Sequence, residues 1–190
     1  AQRYSDLMAD SQGLVAADTL RMVDLRGVRH LVDVGGGTGA FLSAVGRAYP
    51  RLSLTLFDLP AVVAGAEARF RSAGLSGRVT IRAGSFRDDP LPQGADAISL
   101  VRVLYDHSDA TVAALLRAVH AALPPGGRVI LSEPMGGGTR PDPATDVYFS
   151  VYTMAMQTGR VRSQGEIATL LSVAGFTDIR KTWGFRPFVT

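Results

Sequence analysis

The stretch Leu31-Val-Asp-Val-Gly-Gly-Gly-Thr-Gly-Ala-Phe41 constrains the fold of this chain more than any other. An apolar run carrying Asp33 meets a glycine turn, and a helical pattern begins directly after it. Glycines let the backbone turn tightly and approach a ligand closely, and a following helix brings its free N–H groups to the same place. Nineteen positions beyond Gly39 stands Asp58, at the tip of the next apolar run. A carboxylate there can accept both ribose hydroxyls of an adenosine.

The rest of the chain repeats the alternation of short apolar runs and longer periodic stretches that marks a parallel α/β sheet. Strands are predicted at His30–Val34, Ser53–Phe57, Arg78–Ala83, Ala95–Val101 and Arg128–Ser132, with helices near Gly39–Tyr49 and Pro60–Ala73. In a third helix Val112, Leu115, Leu116, Val119 and Leu123 share a face, Ser108 or Asp109 caps the start, and Pro124-Pro125-Gly126-Gly127 ends it. Ser163 and Glu166 form a capping box for another, which ends at Gly175. Two β-like pieces, Thr177–Lys181 and Phe185–Thr190, predict an antiparallel hairpin around Trp183-Gly184, and Gly136–Pro143 reads as a loop. The expectation is a Rossmann-like, doubly wound, mostly parallel seven-stranded sheet closed by that hairpin, in one domain over residues 1–190.

Several function classes are excluded. No run reaches the roughly 18 apolar residues of a membrane span, and no signal-peptide pattern opens the chain, so a cytoplasmic location is expected. The absence of cysteine removes disulfides and thiolate metal sites, and no metal is expected. A net charge of +3, carried by scattered arginines without interleaved aromatics, argues against nucleic-acid binding. The chain opens Ala1-Gln2-Arg3 without a methionine, and it is expected to be a piece of something longer.

The glycine pattern alone leaves two ligands open. Gly35-x-Gly37-x-x-Ala40 satisfies the fingerprint for a nicotinamide dinucleotide as well. Charge favours the other ligand: Asp33 repels a pyrophosphate but attracts the ammonium and sulfonium of S-adenosyl-L-methionine. Asp58 has a plainer alternative role as a helix cap before Leu59-Pro60.

Leu31–Phe41, Leu54–Pro60, Gly84-Ser85-Phe86, Leu100–Asp109, Leu123–Glu133 and Ala174-Gly175-Phe176 resemble, in order and spacing, the motifs of class I small-molecule O-methyltransferases of the acetylserotonin, caffeate and hydroxyneurosporene type. That resemblance implies S-adenosyl-L-methionine as cofactor, S-adenosylhomocysteine as product, and an amino-terminal dimerisation domain in the longer protein, with this chain expected to be the catalytic half without it. A homodimer is implied for the longer protein. It also implies that Asp33, Gly35, Gly37 and Gly39 form the loop at the methionine part, that Asp58 with Leu59 holds the ribose, and that Ser85 and Phe86 meet the adenine. Arg102, in the Leu100–Asp109 motif, completes the cofactor set.

At the catalytic position the family reads Leu-His-Asp-Trp, with the histidine as base; here Leu104-Tyr105-Asp106-His107 stands instead. Tyr105 occupies the base position and His107 lies two places on. Glu133 matches a glutamate that orients the histidine, while Val161 replaces a second one. His107 is the better base at neutral pH, Tyr105 a positioning or relay group, and Asp106 an anchor of the loop if neither acts. His30 and His120 read as structural.

The Tyr-Asp-His variant resembles the carotenoid branch of the family, the hydroxyneurosporene or demethylspheroidene enzymes of purple bacteria, which methylate a tertiary aliphatic alcohol. The implied partner is a small hydrophobic hydroxylated substrate, reached at the membrane surface by peripheral association. Tyr148, Phe149, Tyr152, Met154 and Met156 on a predicted helix suit an apolar pocket, a core or a dimer face equally. The alternatives are methylation of a phenolic or polyketide metabolite, or a cofactor-binding domain that has lost catalysis.

Overall fold

A computed structural model describes residues 2–141 and 143–181. The chain opens with helix α1 (Gln2–Met22), and the first strand, β1 (His30–Val34), follows. Next come α2 (Ala40–Ala48), β2 (Ser53–Asp58), α3 (Pro60–Val63), α4 (Ala66–Ser72), β3 (Val79–Ala83) and β4 (Ala97–Val101). A 3-10 turn at Leu104–Asp106 leads into α5 (Asp109–Ala122) and β5 (Arg128–Ser132). The carboxy-terminal part holds β6 (Met135–Gly136), α6 (Pro143–Met156), β7 (Arg162–Ser163) and α7 (Gln164–Val173).

The five main strands form one parallel sheet in the order β3-β2-β1-β4-β5. The chain winds outward from β1 to β3, then crosses back to lay β4 and β5 on the other side. The order therefore reverses between β1 and β4, where open α/β sheets hold their ligands. Both faces are covered, so the strands are apolar on each. Val32, Val34, Ile98 and Leu100 pack with α5 and α7 through Leu115, Leu116, Val119, Ile167 and Leu171. Leu31, Leu54 and Leu56 pack on the opposite face with Phe41, Leu42, Val45 and Phe70 from α2 and α4.

Three expectations need correction. The sheet has five strands, not seven; β6 and β7 form a separate parallel pair of two residues each. Thr177–Lys181 is not a strand: Asp178 sits at φ 51, and its carboxylate pairs with Arg180 two residues on, a local contact that breaks an extended run. Trp183-Gly184 and Phe185–Thr190 lie outside the described residues. The helix expected over Pro60–Ala73 divides into α3 and α4 near Gly65, a residue with little helical preference.

Local signals read correctly where they are self-contained. The Ser108 hydroxyl accepts from Thr111 N at the start of α5. Both bonds of the Ser163–Glu166 capping box are present. His30 and His120 are structural: His30 bridges Gly94 O and Thr55 Oγ1, and the His120 ring packs edge-on against Phe176.

Candidate active site

The ends of β1 to β5 and the loops after them carry the residues expected to bind cofactor or take part in catalysis. Parallel register sets Asp33 of β1 beside Ser99 of β4, whose hydroxyl donates to Asp33 Oδ1 at 2.6 Å. Asp33 is fully buried, and its Oδ2 has no hydrogen-bond partner. Burial, with Asp58 adding repulsion, pushes this carboxyl up to about 7. The Oδ2 oxygen lies beneath the glycine turn, where a side chain on Gly36 would run into it.

The glycines of that turn differ in what they face. Gly35, Gly37 and Gly39 all have positive φ, which only glycine adopts without strain. A side chain on Gly35 would meet Val103, and one on Gly39 would meet the Phe70 ring. Gly37 has nothing within 4 Å. Only Gly37 therefore opens onto free space; Gly35 and Gly39 serve close packing within the chain.

Asp58, half-buried at the end of β2, accepts from Gly37 N at 2.7 Å and from Leu59 N at 2.7 Å. Each carboxylate oxygen keeps a second lone pair, so the residue can join the loop to a diol. Leu59 is exposed beside it. At the end of β3, Ser85 Oγ donates to Asp88 Oδ2 at 2.9 Å and accepts from Arg87 N at 3.2 Å.

The segment Leu104–His107 holds the two groups weighed as base in the sequence, and the structure separates them. Tyr105 is buried, edge-on to Phe149 and tilted against Tyr152, each with ring centroids 5.7 Å away, and the Arg102 guanidinium lies 5.8 Å from its ring. Arg102 itself sits at φ 58, a strained backbone state for a non-glycine residue. Burial pushes the Tyr105 phenol above its ordinary range. His107 lies on the other side, its ring centroid 5.1 Å from Phe86 in edge geometry. Its Nδ1 is 3.0 Å from Arg87 Nη2. Arginine has no acceptor, so Nδ1 accepts, and the neutral ring carries its proton on Nε2. Burial first, then Arg87 and Arg162, hold its pKa below the ordinary histidine value.

Glu133 does not orient a histidine. Its Oε1 accepts from Val103 N at 2.7 Å and Leu104 N at 2.8 Å, and its Oε2 from Tyr105 N at 3.2 Å. Desolvation raises it to about 7 against those three bonds. The opposite end of the turn is held by Arg162, which sequence reasoning missed. This buried guanidinium donates to Leu104 O and His107 O, both at 2.8 Å, and pairs with Asp109 at 2.7 Å. Gly159 packs against the backbone of Tyr105 and Asp106. The turn is thus gripped by a carboxylate at its N–H end and a guanidinium at its carbonyl end. The only local hint was the basic pair in Gly159-Arg-Val-Arg-Ser163.

Helix α6 divides the aromatic set expected of it. Phe149 and Tyr152 point at Tyr105, while Val147, Tyr148, Val151 and Met154 are exposed. The side chain of Met156 lies outside the described residues. Beside the turn opens a cleft of about 860 Å³ whose walls include Arg87, Ser108, Thr153, Met154, Gln157 and Arg160.

The family model of the O-methyltransferase domain matches residues 1–177. Demethylspheroidene O-methyltransferase of Cereibacter sphaeroides is 64% identical over 187 residues, 98% of this chain and 49% of that protein. The chain belongs to the O-methyltransferase domain family. Demethylspheroidene O-methyltransferase of Rhodobacter capsulatus is 60% identical over 190 residues, 100% of this chain and 47% of that protein. Human N-acetylserotonin methyltransferase, solved in complex with SAM, superposes with a TM-score of 0.79 at 31% identity, covering 87% of this chain and 47% of that one. The chain spans about half the length of the curated relatives it matches. Among the described residues, no helix is long and apolar enough to cross a membrane, and no cluster of three metal-ligating side chains occurs.

Proposed function

We propose that this chain is the catalytic domain of an S-adenosylmethionine-dependent O-methyltransferase that methylates the tertiary hydroxyl of a 1-hydroxycarotenoid, in the biosynthesis of spheroidene. The observation that carries this reading is the 64% and 60% identity, over essentially the whole chain, to two demethylspheroidene O-methyltransferases. The aromatic surround of Tyr105 supports an apolar substrate.

The site fits S-adenosylmethionine better than a dinucleotide. The orphaned Asp33 Oδ2 suits the ammonium group beneath the glycine turn, and a pyrophosphate there would be repelled. Gly37 leaves room for the methionine part, with Gly35 and Gly39 shaping the loop around it. Asp58 and Leu59 receive the ribose, while Ser85 and Phe86 receive the adenine. His107, packed on Phe86 and bonded to Arg87, belongs with that adenine group. Arg102 completes the cofactor set, Tyr105 borders the substrate, and Glu133 positions the turn that bears Tyr105. The cofactor supplies an electrophilic methyl group; the chain's own work is to align it with the hydroxyl, exclude water and accept a proton.

The catalytic domain works within a longer homodimeric protein, in the cytoplasm and at the membrane surface where a lipophilic substrate resides. Incubating the full-length protein with methyl-labelled S-adenosylmethionine tests the reading. Label should enter a methyl ether of a 1-hydroxycarotenoid and not of a catechol. Labelled catechol alone would replace this substrate with a phenol, and no transfer to either would support a domain without catalysis.

A further inference from the structure

Methylating a hydroxyl requires an acceptor for its proton, and the turn offers four candidate groups. Three are already committed. The His107 Nδ1 lone pair is taken by Arg87, its Nε2 carries a proton, and its ring packs on Phe86. Glu133 spends its oxygens on three backbone N–H groups of the turn. The Tyr105 hydroxyl interacts with Tyr152 and with the Asp106 carboxylate, and burial keeps the phenol protonated.

Asp106 is different. Its Oδ1 is buried and has no hydrogen-bond partner, although the residue sits on the same turn as Tyr105. We propose that Asp106, through Oδ1, accepts the proton of the substrate hydroxyl during methyl transfer, an assignment that rests on the O-methyltransferase reading above. The substrate oxygen forms a bond to the methyl carbon as the carbon–sulfur bond breaks, and that electron pair stays on sulfur. The hydroxyl proton passes to Asp106 and then leaves to solvent. Charge balances, because a cationic sulfonium and an anionic carboxylate become a neutral thioether and a neutral acid.

The groups facing Asp106 tune it for this task. Arg102 from the end of β4 favours the anion, Tyr105 on the same turn donates to it, and Glu133 from the end of β5 repels it. Tyr152 of α6 acts through Tyr105. Burial outweighs the attractions and raises the carboxyl to about 6, close to the pH at which a base is most effective. A tyrosine in the family's histidine position then serves to orient the carboxylate beside it.

The test uses the full-length enzyme and Asp106→Asn. Turnover should fall roughly 100-fold or more, with S-adenosylhomocysteine affinity by calorimetry unchanged within about twofold. Infrared titration of wild type minus variant should contain a protonated-carboxyl band that disappears near pH 6. If the variant does not fold, the acidic limb of wild-type kcat/KM is followed with temperature. A carboxylate limb stays nearly fixed, whereas an imidazole limb moves to lower pH on warming. Undiminished turnover in Asp106→Asn, no titrating band in the difference, or a limb that moves like imidazole would each overturn the assignment. A wild-type enzyme that methylates no hydroxyl would instead overturn the functional reading beneath it.

Discussion

The Phe70 ring fills the space that a side chain on Gly39 would need, whereas nothing lies within 4 Å of one on Gly37. Two glycines two residues apart in one turn therefore answer to different demands. Gly39→Ala should destabilise the chain by about 3 kcal/mol, from overpacking against Phe70 added to strain at φ 83. Gly37→Ala should cost about 1 kcal/mol of backbone strain but weaken S-adenosylhomocysteine binding at least tenfold. Denaturant unfolding and calorimetry separate the two outcomes.

Asp33 and Glu133 make stability depend on pH in a stated direction. Both carboxyls are raised to about 7 in the folded chain, so the native state holds protons that the unfolded chain releases. Their contribution is complete below the ordinary carboxylate range and is lost as pH rises through about 7. Glu166, held down to about 2 by Ser163 and Arg160, acts in the opposite sense at acid pH. The thermal midpoint should therefore peak at about pH 4 and decline until about pH 7. Asp33→Asn should flatten that decline and bind S-adenosylhomocysteine at least tenfold more weakly. Thermal scans across pH, with and without ligand, check both.

Arg162 holds the Leu104–Asp106 turn by its carbonyls, so its loss leaves Leu104 O and His107 O without their buried donor, while Asp109 keeps Arg160. Arg162→Met should cost about 3 kcal/mol, from two turn carbonyls that each lose a hydrogen bond to a charged donor. Arg162→Lys should recover part of it. Urea titrations of the two variants measure the difference, and equal stability of Arg162→Met and wild type would contradict it.

How much of this was legible in the sequence follows from how local each signal is. Strand β1, the glycine turn, the Ser108 cap and the Ser163–Glu166 box involve neighbours in the chain, and each was readable. The pairing of Met135–Gly136 with Arg162–Ser163 was not, because two-residue strands carry no period. Glu133 and Arg162 reach the turn across 30 and 58 positions to bond its backbone, which leaves no trace in side-chain pattern. His107 was readable as an imidazole of suitable pKa. That Arg87 would take its lone pair depends on how the β3 loop meets the turn.

His107→Ala offers a kinetic check on that point. An adenine-side residue should raise the S-adenosylhomocysteine dissociation constant about tenfold, roughly 1.4 kcal/mol, with kcat at saturating cofactor reduced far less. A base would show the reverse, a collapsed kcat at unchanged affinity.

The most direct measurement is a crystal structure of the full-length protein with S-adenosylhomocysteine bound. The expected result has the amino group at Asp33, the ribose at Asp58, the adenine beside Phe86 and His107, and the sulfur facing Tyr105 and Asp106. A His107 imidazole facing the sulfur, with Asp106 turned away from it, would contradict the division of the turn.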